Sequence, residues 1–239
     1  MRTRKLFKYL LEKLYRPFVV RYLSKERVYK YQGLILHIKP GVFHPAFFFS
    51  THVLLTFMKT KRVIGKKILE LGAGSALISM VQAERGAIVT ATDISRTAVE
   101  SGKENILRNN IDVLMIQSDL FYELKGSQYD IIIINPPYFA SDPVTEEQYA
   151  WYCGKEFQYF KRLFAQLPFH LSADGRAYMI LSEDCAIQTI QTIANKASVE
   201  MKQVYATKVW TEYNYIFELI CPEHTHVSVY TDIEKDTGL

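Results

Sequence analysis

Ile131, Ile132, Ile133 and Ile134 follow one another without a polar interruption, and this run constrains the fold more than any other feature of the chain. β-branched side chains suit a pleated strand, in which successive side chains point to opposite faces. A strand that is apolar at every position must be covered on both faces, as in a parallel sheet lying between two layers of helices.

The surrounding sequence supplies the rest of such a sheet. Strands are predicted at Lys67–Leu71, Ile88–Thr92, Val113–Gln117, Tyr129–Ile134 and Ala177–Leu181, and two final strands at Lys202–Val209 and Tyr215–Cys221 are joined by a hairpin near Glu212. Helical composition occupies Ala76–Arg85, Arg96–Asn109 with Asn110 as its C-terminal cap, Phe157–Leu171 and Asp184–Ala197. Tyr29–Ile38 suggests a short strand or hairpin around Gly33. Strands alternating with helices mean right-handed βαβ units. The expected fold is α/β: a Rossmann-like, seven-stranded, mostly parallel sheet with helices on both faces and a C-terminal antiparallel hairpin.

Charge divides the chain. Of the 239 residues, the first 30 hold ten Lys or Arg against Glu12 and Glu26, a net +8; the total of +4 leaves −4 for the remainder. Leu6, Leu10, Leu14 and Phe18 recur at helical spacing among these basic residues. The expected organisation is a basic helical arm over 1–32, the α/β domain over 33–222 and a C-terminal tail over 223–239. The arm fits an anionic partner, such as RNA, a ribonucleoprotein or a membrane surface, or else a solvated helix face. Cys153, Cys185 and Cys221 are odd in number and far apart, which argues against a disulfide framework or a cysteine zinc site and fits a reducing cytoplasm. The most apolar stretch, Pro45–Phe57, is too short to span a bilayer. His224 and His226 lack a third ligand, so no metal is expected.

In a sheet of this kind, ligands bind beyond the carboxyl ends of the strands, and the unusual residues stand there. Glu70-Leu71-Gly72-Ala73-Gly74 closes one strand and opens a helix; Leu77 stands where a dinucleotide fingerprint needs its third glycine. Asp93, 23 residues after Glu70, ends the next strand, where a carboxylate can accept both ribose hydroxyl protons of a nucleoside; Ser95 is better placed to cap the helix after it. Asp119 follows the third strand, where it could accept from an adenine amino group. Asn135-Pro136-Pro137-Tyr138 follows the isoleucines. Two prolines fix the backbone and leave carbonyls without competing N–H donors. The Asn135 side-chain oxygen and the Pro136 carbonyl could accept both hydrogens of a planar –NH2 group, with the Tyr138 ring against its face. Trp151, Phe157 and Tyr159 could line a substrate cleft but are expected mainly as core aromatics.

In this order and spacing, the motifs resemble those of class I S-adenosylmethionine-dependent methyltransferases, and more narrowly the amino-methyltransferases with an (Asp/Asn)-Pro-Pro-(Tyr/Phe) motif. Gly41-Val42-Phe43-His44-Pro45, followed by Thr51 and Leu54-Leu55, is similar to the segment preceding motif one in the small-methyltransferase group. Ala150-Trp151 with Gly154, Phe160–Leu171 and Asp174-Gly175 are similar to HemK-like glutamine methyltransferases. Ala76 stands where the family usually has Gly, and the separate helical N-terminal domain of bacterial release-factor enzymes is replaced by the basic arm.

The resemblance, covering about residues 33–221, implies S-adenosylmethionine as cofactor. It places cofactor contacts at Thr51, Glu70, Gly72, Gly74, Asp93, Asp119 and Asn135, and catalytic roles at Asn135, Pro136 and Tyr138. The expected substrate is macromolecular: foremost the side-chain amide of glutamine in a translation (release) factor. The alternatives are adenine N6 or guanine N2 of RNA or DNA, and a non-catalytic methyltransferase-like subunit. No membrane partner is expected, and the expected location is cytoplasmic.

Overall fold

The computed structural model describes residues 24–46, 49–210 and 212–221. The amphipathic segment 6–18 and the histidines at 224 and 226 lie outside them.

The chain opens with a hairpin of β1 (Arg27–Tyr31) and β2 (Leu34–Ile38). Gln32 and Gly33 both have positive φ, 46° and 94°, the geometry of the two-residue turn whose twist matches the flanking strands. The hairpin thus begins within the 1–32 segment assigned to the arm and extends beyond it. α1 (Phe49–Met58) follows, then β3 (Lys67–Leu71), α2 (Leu77–Glu84), β4 (Ile88–Asp93), α3 (Arg96–Arg108), β5 (Leu114–Gln117) and β6 (Tyr129–Ile134). α4 (Gln158–His170), β7 (Leu171–Ser182), α5 (Ile187–Lys196), β8 (Glu200–Val209) and β9 (Glu212–Ile220) complete the fold. α1 goes beyond the sequence reading, which took its residues only as a short apolar stretch.

The main sheet has seven strands in the order β5-β4-β3-β6-β7-β9-β8. Pairings from β5 to β7 are parallel, and β9 runs antiparallel to both β7 and β8. This is the expected α/β architecture. Strand order reverses between β3 and β6, the kind of switch point where a crevice opens at the carboxyl edge.

The isoleucine run behaves as its composition requires. Ile131 and Ile133 join the core beneath α1, α2 and the hairpin, with Leu36, Leu54 and Met80. Ile132 and Ile134 enter the opposite core, with Phe160, Phe164 and Leu167 of α4 and Ile190 of α5. All four are buried.

α3 ties the hairpin to the sheet through two asparagines one turn apart. Asn105 accepts from His37 N at 2.7 Å and donates to His37 O at 3.1 Å and Ser75 O at 3.2 Å. Asn109 accepts from Ile35 N and donates to Ile35 O, both at 2.9 Å. Residues 35 and 37 point the same way along β2, and each finds a carboxamide standing in for the next strand. Ser95 caps α3 by accepting from Ala98 N at 3.1 Å, and Asn110 adopts φ 52° just past its end.

Candidate active site

The two loops at the switch point come from neighbouring strands, the Glu70–Gly74 loop from β3 and Asn135–Tyr138 from β6. They meet: a Cβ on Gly72 would lie 3.9 Å from the Asn135 carbonyl oxygen. Between and around them is a cleft of about 590 Å³ lined by residues that include Thr51, Glu70, Gly72, Gly74, Asp93, Asp119, Asn135, Pro136 and Tyr138. Every site residue named from the sequence lines this one cleft. Trp151 and Tyr159 line it too, while Phe157 packs against the core.

The glycine loop owes its shape to left-handed backbone. Gly72, Gly74 and Ala76 have φ of 71°, 54° and 62°, a region that glycine enters without cost. Ala76 therefore occupies a place that calls for a positive φ as well as a small side chain. Asp93 braces the loop: its Oδ2 accepts from Gly74 N and its Oδ1 from Ser95 N, both at 2.9 Å. Burial raises its carboxyl above the usual range, opposed by these hydrogen bonds. Glu70 is 4% exposed and accepts at Oε2 from Ser79 N at 2.8 Å and from the Ser79 hydroxyl. Its burial pushes the carboxyl up to about 8, against the lowering effect of Ser79. Asp119 pairs with Arg162 at 2.7 Å on the cleft wall.

On the second loop, the Asn135 amide N–H donates to Ser50 Oγ of α1 at 3.1 Å. That bond fixes the carboxamide plane and leaves Oδ1 without a partner among the described residues. Burial raises the Tyr138 hydroxyl, which keeps it protonated, and its ring packs on Phe139 at 4.8 Å. Ser50 escaped the sequence reading, since a serine ahead of an apolar stretch carries no signal of a partner 85 residues away. So did Glu146, which accepts from Ser95 Oγ at 2.6 Å and Thr97 N at 3.1 Å, strapping the segment after Tyr138 to the start of α3.

Residues 33–214 match the family model described as "Methyltransferase small domain". The chain belongs to that family. It is an S-adenosylmethionine-dependent methyltransferase. A Methanocaldococcus jannaschii protein named as a protein N5-glutamine methyltransferase is 31% identical over 160 residues, covering 63% of this chain and 77% of the relative. The ribosomal RNA small subunit methyltransferase C of Buchnera aphidicola is 30% identical over 57% of this chain. This chain spans only 39% of that relative, and 40% of a ribosomal protein L11 methyltransferase from Thermosipho africanus to which it is 38% identical. Among solved structures, a Pyrococcus furiosus methyltransferase shares the fold at a TM-score of 0.59 and 21% identity, over 87% of this chain and 98% of the other.

The small-domain cleft fits its cofactor on two counts. Positive φ at Gly72 and Gly74, with no Cβ, leaves the loop open to close approach by a ligand. Among the described residues of the lining, acidic side chains outnumber the single cation Arg162, which suits a ligand bearing a sulfonium and an ammonium. Among the described residues no group of three His, Cys, Asp or Glu could hold a metal ion, and no helix is long and apolar enough to cross a membrane.

Proposed function

We propose that this methyltransferase modifies a planar amino group, the side-chain amide of a glutamine in a protein of the translation apparatus. The observation that carries the reading is the anchored Asn135. With its N–H group engaged by Ser50, the oxygen Oδ1 is the atom free to accept from an acceptor –NH2, and the Pro136 carbonyl follows directly in the chain. Similarity to the Methanocaldococcus jannaschii protein supports glutamine as the acceptor.

S-adenosylmethionine supplies an electrophilic methyl group on a sulfonium. An amide nitrogen is a poor nucleophile because its lone pair is delocalised into the carbonyl. Hydrogen bonds accepted by Asn135 Oδ1 and Pro136 O hold both N–H bonds in place, turn the nitrogen toward the methyl group and stabilise the positive charge that develops on it. Bound there, the cofactor would supply the methyl group for the new N–CH3 bond and leave as the neutral thioether, and the amide proton would pass to solvent. This is positioning and electrostatic preorganisation. Thr51, Glu70, Gly72, Gly74, Asp93 and Asp119 would hold the cofactor, Asp93 through the ribose hydroxyls. Tyr138 would flank the acceptor with its ring. The basic arm over 1–32 would serve in docking the macromolecule.

By analogy with the loss of one oxyanion-hole donor, Asn135→Ala should raise the barrier by about 3 kcal/mol. Methyl transfer should fall at least about a hundredfold, with cofactor affinity retained. Labelled S-adenosylmethionine and cell extract, digested separately with protease and nuclease, identify the acceptor. Label released by protease alone supports the glutamine reading; label released by nuclease alone moves the acceptor to a nucleic-acid amino group, the reading that the +8 arm favours.

A further inference from the structure

Beyond the catalytic loop, the cleft continues over β7 and β9, where Ser182 and Asn214 stand opposite each other in register. Asn214 is 4% exposed, yet its carboxamide has no hydrogen-bond partner among the described residues. Its residual exposure opens onto the cleft, so the carboxamide is available to a ligand. β6 pairs with β7 up to Ile134 and Met179, which puts Asn135 level with Ile180 and Ile216. Asn214 then lies about 7 Å further along the strands and about 10 Å across them. A side chain and a few residues of main chain bridge such a span. Glu212, two residues before Asn214 and half-buried, also lines the cleft, pairs with no cation among the described residues and stands close enough to Tyr138 to raise its hydroxyl further. Asp184 adds a second carboxylate to this end of the lining.

We infer that Asn214 and Glu212 recognise the acceptor as a polypeptide, Asn214 by hydrogen bonds to the main chain flanking the methylated amide and Glu212 by an ion pair with a lysine or arginine beside it. The inference rests on the glutamine reading and extends it to what surrounds the glutamine. A carboxamide offers one acceptor and two donors, the complement of a peptide group. A carboxylate at the mouth attracts a cationic side chain and repels a phosphodiester.

The test uses the full chain, labelled S-adenosylmethionine and a peptide library centred on glutamine with the flanking positions randomised. The expected products are enriched in Lys or Arg near the glutamine, and Glu212→Gln abolishes the enrichment. With the best peptide, Asn214→Ala should raise KM at least tenfold and leave kcat, cofactor affinity and thermal stability near wild type. A merely structural Asn214 would lower stability instead, because removal of a paired amide would leave its partner buried. Unchanged KM in Asn214→Ala, or products with no charge preference, overturns the inference while the glutamine reading stands. No labelled peptide from the library, together with label in RNA when cell RNA is offered to the same enzyme, overturns the glutamine reading itself, and the inference with it.

Discussion

Glu70→Gln removes a carboxyl that the fold holds far from its ordinary titration. Glu70 is fully enclosed behind the glycine loop, and burial raises it from 4.5 to about 8. An acid that titrates higher in the fold than in the unfolded chain stabilises fully below its unfolded value, and that stability is lost as pH rises through the folded value. The shift corresponds to roughly 5 kcal/mol if the carboxyl is forced to ionise completely. Glutamine keeps an acceptor oxygen for the Ser79 N–H and hydroxyl, keeps the volume and cannot ionise. Urea unfolding of both proteins between pH 5 and pH 8 should therefore show wild type falling behind Glu70→Gln by roughly 3 kcal/mol over that range. Asp93 is also raised by burial, but it is common to both proteins and largely cancels in the difference. A cationic ligand beside Glu70 favours the charged form, so cofactor binding near pH 7 should release a proton in wild type and not in Glu70→Gln. Calorimetry in buffers of different ionisation enthalpy reads this directly. A stability difference that stays flat with pH, or that favours wild type as pH rises, refutes a buried Glu70 that is neutral at neutral pH.

Other substitutions probe the supports of the site. Asn105→Ala strips three hydrogen bonds from part-buried and buried backbone groups of the hairpin and the glycine loop, and should cost about 2 kcal/mol in denaturant unfolding. Ser50→Ala frees the Asn135 carboxamide to rotate; kcat should drop by roughly fivefold, for a bond of about 1 kcal/mol, with cofactor affinity unchanged. Ala76→Gly relieves about 1 kcal/mol of left-handed strain but forfeits a fully buried methyl worth about 0.8 kcal/mol and adds unfolded-state entropy. Its melting temperature should therefore stay within a few degrees of wild type or fall, and a large rise would show that strain dominates.

The sequence was most legible where local chemistry and long-range structure agree. β3 and β6 fall on their predicted residues because each is a short apolar run closed by a loop with its own signature, glycines after one and prolines after the other. Ser95 marks the start of α3 through a side-chain hydrogen bond that acts within a turn, and Asn110 follows its end in the left-handed backbone that asparagine tolerates. α1 was missed because Phe49–Met58 is mostly apolar without a clean polar face or a basic last turn, so periodicity could not declare it a helix. β7 begins six residues earlier than its apolar run because Leu171–Arg176 is held by pairing with β6, across an irregular register, rather than by composition. The partners of the site residues were invisible for a related reason. Ser79 is nine residues from Glu70, Ser50 is 85 from Asn135 and Glu146 is 51 from Ser95, and such meetings are products of tertiary packing alone.

The carboxamides of Asn105 and Asn109 have a consequence for the company this protein keeps. A two-stranded hairpin exposes rows of main-chain donors and acceptors on which a foreign strand can zip up. On the β2 side, the groups of Ile35 and His37 that would start such a zipper are already engaged by one helix, at the spacing a third strand would use. The hairpin is thereby closed to strand addition along that edge. An intruding chain would have to displace two side chains, and displacing Asn105 also unsettles Ser75 beside the glycine loop. Protection from unwanted strand pairing and the shape of the cofactor cleft thus depend on the same face of α3.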